Sequence, residues 1–201
     1  QNQAAAGTAT QLEVINARQA IEQQSTTVIT DKRETETLKQ QICVATGWNY
    51  DASPEFGPLP EFDLETIYQI NLEADKAKAL ESNYTLRINR RKYENSTSEN
   101  IRKTLEETIR YNQQKISSDI QTKYNTLLNA AVSYEVAQTE ETVAAKNLAA
   151  METKFLTGMA SRLEYQQEQF NLTSKTVAIE NAKMALFSAW VTYEGAVNGL
   201  A

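Results

Sequence analysis

A chain of 201 residues with no histidine, one cysteine and a net charge of −6 excludes a good deal of chemistry at the outset. The commonest general base is absent, a zinc site would rest on carboxylates alone, and Cys43 has no partner for an intrachain disulfide. Acidic and basic residues are interspersed with an acidic excess, which argues against nucleic acid as a partner, and aromatics at 8% argue against a large globular core.

All three Pro and two of the six Gly lie between Gly47 and Pro60. The rest is rich in Ala, Gln, Glu, Asn, Thr and Leu, the composition of long helices, so the expected fold class is all-α. The chain opens on Gly7-Thr8-Ala9-Thr10-Gln11-Leu12-Glu13-Val14, a helix-turn phrase that returns as Gly158-Met159-Ala160-Ser161-Arg162-Leu163-Glu164-Tyr165. A glycine suited to a left-handed turn, a small hydroxyl residue and Leu-Glu opening a helix mark the tip of a helical hairpin. Two tips imply a duplicated hairpin. Because the sequence starts abruptly at a turn, it reads as a mature or truncated product with an upstream helix missing.

A first long helix is predicted from about Thr10 to Thr46, with Cys43, between Ile42 and Val44, as a small buried apolar residue. The Gly/Pro-rich segment 47–62 follows as a linker. Asp63 is positioned to cap a second helix running to about Tyr93. It carries a basic cluster, Arg87, Arg90, Arg91 and Lys92, expected to be a solvated helix end, with contact to a membrane or an anionic polymer as the alternative. Ser96-x-x-Glu99 has the capping-box pattern, which starts a third helix near Thr97 that continues to Leu156. Its apolar row runs through Ile101, Leu105, Ile109, Ile116, Ile120, Tyr124, Leu127, Ala131 and Tyr134. A fourth helix runs from Ser161 to about Asn198. At 1.5 Å per residue the first two helices together roughly match the third in length, about 100 Å against about 90 Å, which suggests end-to-end stacking beside it.

The fourth helix holds two seven-residue apolar series. One is Leu163, Phe170, Val177, Met184 and Val191; the other is Tyr165, Leu172, Ile179, Leu186 and Tyr193. Each is a coiled-coil seam, and the two lie about 200° apart around the helix, as in the wall of a cylinder with a neighbour on each side. The first helix shows one such series, Val14, Ile21, Val28 and Ile42, interrupted by Thr35. No run reaches the ~18 apolar residues that span a bilayer as a helix.

These residues resemble the TolC-like outer membrane efflux protein family. Phe155-Leu156-Thr157-Gly158 through Tyr165 is similar to the phrase that ends each long helix in that family, and Gly7 through Val14 is similar to its first copy. Ala79-Leu80-Glu81-Ser82-Asn83 and the closing Asn181 to Leu200 add further similarity. The resemblance implies a trimeric α-barrel outside the cytoplasm, in the periplasm and outer membrane or at the surface of a cell without one. Its tips would meet an adaptor or exporter protein. Carried onto this chain, the tip residues are Gly7, Thr8, Ala9, Thr10, Leu12 and Glu13, with Gly158, Met159, Ala160, Ser161, Leu163 and Glu164. Glu13 and Glu164 would favour cations at an aperture, or else stabilise the first turn of a helix. Family members insert β-strands between the second and third helices, where only Glu94 to Asn100 is available here, so the chain is expected to lack barrel strands.

The expected function is therefore a helical component of an efflux or secretion system. The alternative is a coiled-coil envelope spacer without a conduit. No nucleophile–base set or phosphate-binding loop can be assembled, so neither catalysis nor a cofactor or metal is expected.

Overall fold

The computed structural model describes residues 10–200, so Gly7, Thr8 and Ala9 of the first tip lie outside the described residues. Among the described residues six helices follow in chain order: α1 (Gln11–Ala45), α2 (Leu64–Tyr68), α3 (Leu72–Ser82), α4 (Tyr84–Asn95), α5 (Glu99–Leu156) and α6 (Arg162–Val197). Among the described residues there is no strand, in keeping with the all-α class. The chain divides into two compact units, Gln1–Pro58 and Leu59–Ala201.

The described part of the first unit is α1 with its N-cap Thr10 and the loop that follows it. Thr35, which interrupts the apolar series, donates its Oγ1 to the Asp31 carbonyl at 2.8 Å, as threonines within a helix can. Ile21, Val28 and Ile42 are exposed. At the helix end, Gly47 takes a positive φ, and the Trp48 N–H reaches back to the Cys43 carbonyl at 2.7 Å. The loop folds over Cys43, whose Sγ lies 3.6 Å from the Ala52 carbonyl, and leaves the thiol residue buried as expected.

The second unit is organised on α5, a 58-residue spine. α6 returns along it antiparallel, pairing Phe155 with Tyr165, Glu140 with Lys175 and Tyr124 with Tyr193 in succession. α4 runs beside the opening of α5, and α2 and α3 fill the middle. The core sits there. Ile67, Ala79, Ile120, Leu127, Leu186 and Tyr193 are fully buried, and Phe62, Tyr124 and Trp190 pack around them. Each fully buried Leu or Ile contributes about 1.5–3 kcal/mol relative to exposure. Ala79, Ala131 and Ala196 in the same cluster let the helix backbones come close.

The single helix expected from Asp63 to Tyr93 is in fact three. Asp63 does cap the first, accepting from the Glu65 N–H at 3.0 Å. Asn71 and Asn83 then each start a new helix, their side chains accepting from the Ala74 and Leu86 N–H at 3.1 and 2.9 Å. Asparagine offers the backbone this local alternative, and both residues take extended ψ; at Asn83 this also ends the preceding helix, whereas α2 has already closed at Gln69. The end of α6 is seated on the second break. Gly199 has φ +78, and a Cβ there would fall 2.6 Å from the Ser82 carbonyl oxygen.

The expected capping box at Ser96 and Glu99 does not form. Ser96 belongs to the end of α4, its N–H bonded to the Tyr93 carbonyl, and its hydroxyl turns onto the Ser98 carbonyl. Ser98 becomes the N-cap of α5, without a side-chain bond to the helix.

The two series on α6 have different fates. Leu186 and Tyr193 are buried against the spine, and Tyr165, Leu172 and Ile179 are half-buried along it. Leu163, Phe170, Val177, Met184 and Val191 point outward, between 48% and 78% exposed. One seam is filled by the hairpin itself; the other has no occupant among the described residues of this unit.

Candidate docking tip

The turn between α5 and α6 is built almost entirely by local hydrogen bonds. Thr157 caps α5, donating its Oγ1 to the Thr153 and Lys154 carbonyls at 2.9 and 3.1 Å. Gly158 follows at φ +73, a conformation that disfavours any residue with a Cβ. The Gly158 N–H bonds the Phe155 carbonyl and the Met159 N–H bonds the Lys154 carbonyl, the paired closure of a Schellman turn.

Ser161 then opens α6. Its Oγ accepts from the Glu164 N–H at 3.2 Å, while its own N–H and hydroxyl donate to Glu164 Oε2 at 2.7 and 2.8 Å. These donors, the backbone N–H first and the hydroxyl second, hold the Glu164 carboxyl below the usual carboxylate range. At the base of the turn, Phe155 and Tyr165 stack at 5.2 Å, nearly parallel. The turn is thus clamped on both sides, with Leu156 and Met159 left 77% and 76% exposed at its apex.

The described part of the first tip repeats this construction. Thr10 Oγ1 accepts from the Glu13 N–H, and the Thr10 N–H donates to Glu13 Oε2 at 2.7 Å. The same donors lower the Glu13 carboxyl. Leu12, like Leu163, is exposed one residue before its glutamate. The sequence repeat is therefore also a structural repeat from Thr10 onward.

Of the residues expected at the tips, the structure brings Gly158, Met159, Ala160, Ser161, Leu163 and Glu164 into one turn. Glu13 and Glu164 are both engaged as helix-start acceptors, so the first-turn role is the one seen. Ala160 is half-buried rather than fully presented. Sequence reasoning overlooked Leu156 as an apex residue and the Phe155–Tyr165 clamp. The signal was available, since the two aromatics flank the turn at equal short distances from Ala160.

Among the described residues no three His, Cys, Asp or Glu gather where a metal ion could be held. Among the described residues no helix is long and apolar enough to cross a membrane. Comparison with protein-family models, curated proteins and solved structures finds no match to this chain.

Proposed function

We propose that this chain is a TolC-like helical component of an efflux or secretion system, acting outside the cytoplasm. It self-associates, as a trimer by resemblance, and docks an adaptor or exporter through its hairpin tips. The observation that carries the reading is the α5–α6 turn: a rigid, doubly capped end that presents Leu156 and Met159 to solvent. An apolar apex on a locally fixed turn is suited to a partner's groove, because little conformational entropy is lost on binding. The repeated capping box at Thr10 and the open seam on α6 support the same reading.

The test is capture of the adaptor or exporter subunit encoded beside this chain. Met159→Lys and Leu156→Lys replace exposed side chains and leave every hydrogen bond of the turn in place. Each is expected to weaken capture at least tenfold, the loss of an interface anchor, with an unchanged thermal midpoint. A second reading, a coiled-coil spacer without a conduit, is favoured by the open seam alone, which requires only self-association. Capture by Met159→Lys equal to that of the parent would decide for the spacer.

A further inference from the structure

The opposite pole of the spine has a different character. The α4–α5 turn lies at the start of α5, roughly 87 Å from the docking tip for 58 helical residues. Residues 84–110 hold seven Lys and Arg against four Glu, while the rest of the chain holds thirteen against twenty-two. An acidic protein therefore carries one basic end.

Among the described residues the cations at this end enter no ion pair. Among the described residues the ion pairs are Lys39–Glu36, Lys76–Glu73, Lys123–Asp119 and Lys175–Glu140, and none involves Arg87, Arg90, Arg91, Lys92 or Arg102. Arg102 sits over the Tyr93 ring at 4.8 Å, a contact that leaves its charge in place. A basic residue in the last turn of a helix complements the macrodipole, which accounts for Lys92. It does not account for Arg87 and Arg91, which stand at i and i+4, a spacing at which like charges destabilise a helix. An external anion removes that repulsion.

Beside these side chains the hairpin opens into a groove of about 460 Å³. Ile88, Ile101 and Leu105 supply its apolar lining, and Arg91, Lys92, Asn95 and Ser96 its polar lining. Ile101 is 55% exposed, at the very start of α5. Cations around an exposed apolar apex complement a surface that is anionic outside and apolar beneath.

We propose that the α4–α5 pole docks on an anionic phospholipid surface, with Arg87, Arg91 and Lys92 against the headgroups and Ile101 at their inner edge. The contact is peripheral and electrostatic. It goes beyond the docking-tip reading and holds whether or not that tip binds an adaptor.

The experiment is flotation of the full chain with phosphatidylcholine vesicles made with and without phosphatidylglycerol, at low and high salt. Binding is expected only with the anionic lipid, and high salt reverses it. The triple variant Arg87→Gln, Arg91→Gln, Lys92→Gln should partition about a hundredfold less, from roughly fivefold per basic residue. A control with the same charge change at the other pole, Lys146→Gln, Lys154→Gln, Arg162→Gln, should float like the parent. Arg87→Lys with Arg91→Lys should also retain binding, which separates charge from fold. Equal loss in the two triple variants would overturn the proposal, because net charge alone would then explain it. So would equal binding to neutral vesicles, or retention of polyglutamate at low salt without flotation on anionic vesicles, which would make an acidic polymer the partner.

Discussion

Glu13 and Glu164 each commit one carboxylate oxygen, Oε2, to two donors at the start of a helix, and this makes the two tips sensitive to acid. The donors from Ser161 favour the charged form of Glu164 in the folded chain, so its folded pKa lies below its unfolded one. A lowered folded pKa gives stability that is complete above the unfolded value and lost as pH falls through the folded one. From the usual carboxylate value of 4.5 downward, the tip should loosen. Glu164→Gln removes the titration. The variant should melt below the parent at neutral pH and converge toward it as pH falls below 4.5. Thermal midpoints across that window check this, and curves that stay parallel would show that Glu164 contributes nothing through its charge. Away from the tips, Tyr193 shows the opposite shift. Burial first, and the Asp75 carboxylate it donates to at 2.6 Å second, push its hydroxyl well above the usual value. It remains a neutral donor throughout, pinning α6 to α3.

At the scale of elements, a close approach between chain segments far apart in sequence holds the broken stretch α3–α4 in place. The α6 terminus reaches the Ser82 carbonyl so closely that only glycine fits at position 199. Gly199→Ala meets both a backbone clash and the cost of positive φ, whereas Gly158→Ala meets only the second, since nothing lies within 4 Å of its added Cβ. The conformational cost is about 1–2 kcal/mol. Urea unfolding should show Gly158→Ala destabilised by about that amount and Gly199→Ala by clearly more. Equal values would mean that α6 does not press on the break. The same contact explains what was and was not legible in the sequence. α1, α5 and α6 could be read to within two residues, because Thr10, Gly47, Gly158 and Ser161 punctuate them by purely local chemistry. The interruptions at Asn71 and Asn83 were hidden in a stretch of helical composition. An asparagine inside such a stretch chooses between helix and cap according to what packs on it, and at Asn83 that partner, Gly199, lies more than a hundred residues away. Ser96 misled for a related reason. Its spacing to Glu99 is right for a capping box, but its N–H had already been taken by α4.

For the whole molecule, the open seam on α6 is the feature that the hairpin does not satisfy. Leu163 to Val191 is roughly 42 Å of helix with an apolar side chain at every seventh position. The sequence showed both seams but gave no way to rank them. Packing does, because Leu186 and Tyr193 coincide with the core while Met184 and Val191 face away. The two seams should therefore respond to mutation in different ways. Leu186→Ala opens a cavity beneath a fully buried side chain and should cost about 2–5 kcal/mol of stability. Val177→Lys with Met184→Lys alters only exposed positions and should leave the melt of the isolated chain nearly unchanged. It should abolish self-association, because two buried, unpaired charges would stand in the contact. Sedimentation velocity over a concentration series reads this directly: the parent should form a larger species as concentration rises, and the double variant should remain monomeric. A parent that stays monomeric at its highest soluble concentration would leave the outer seam without a second copy as its partner. The form of the assembly carries further information. A head-to-tail contact that closes on itself gives one fixed stoichiometry, whereas one that does not close gives species that grow with concentration. A single closed mass would support the conduit, and open-ended growth would support the spacer.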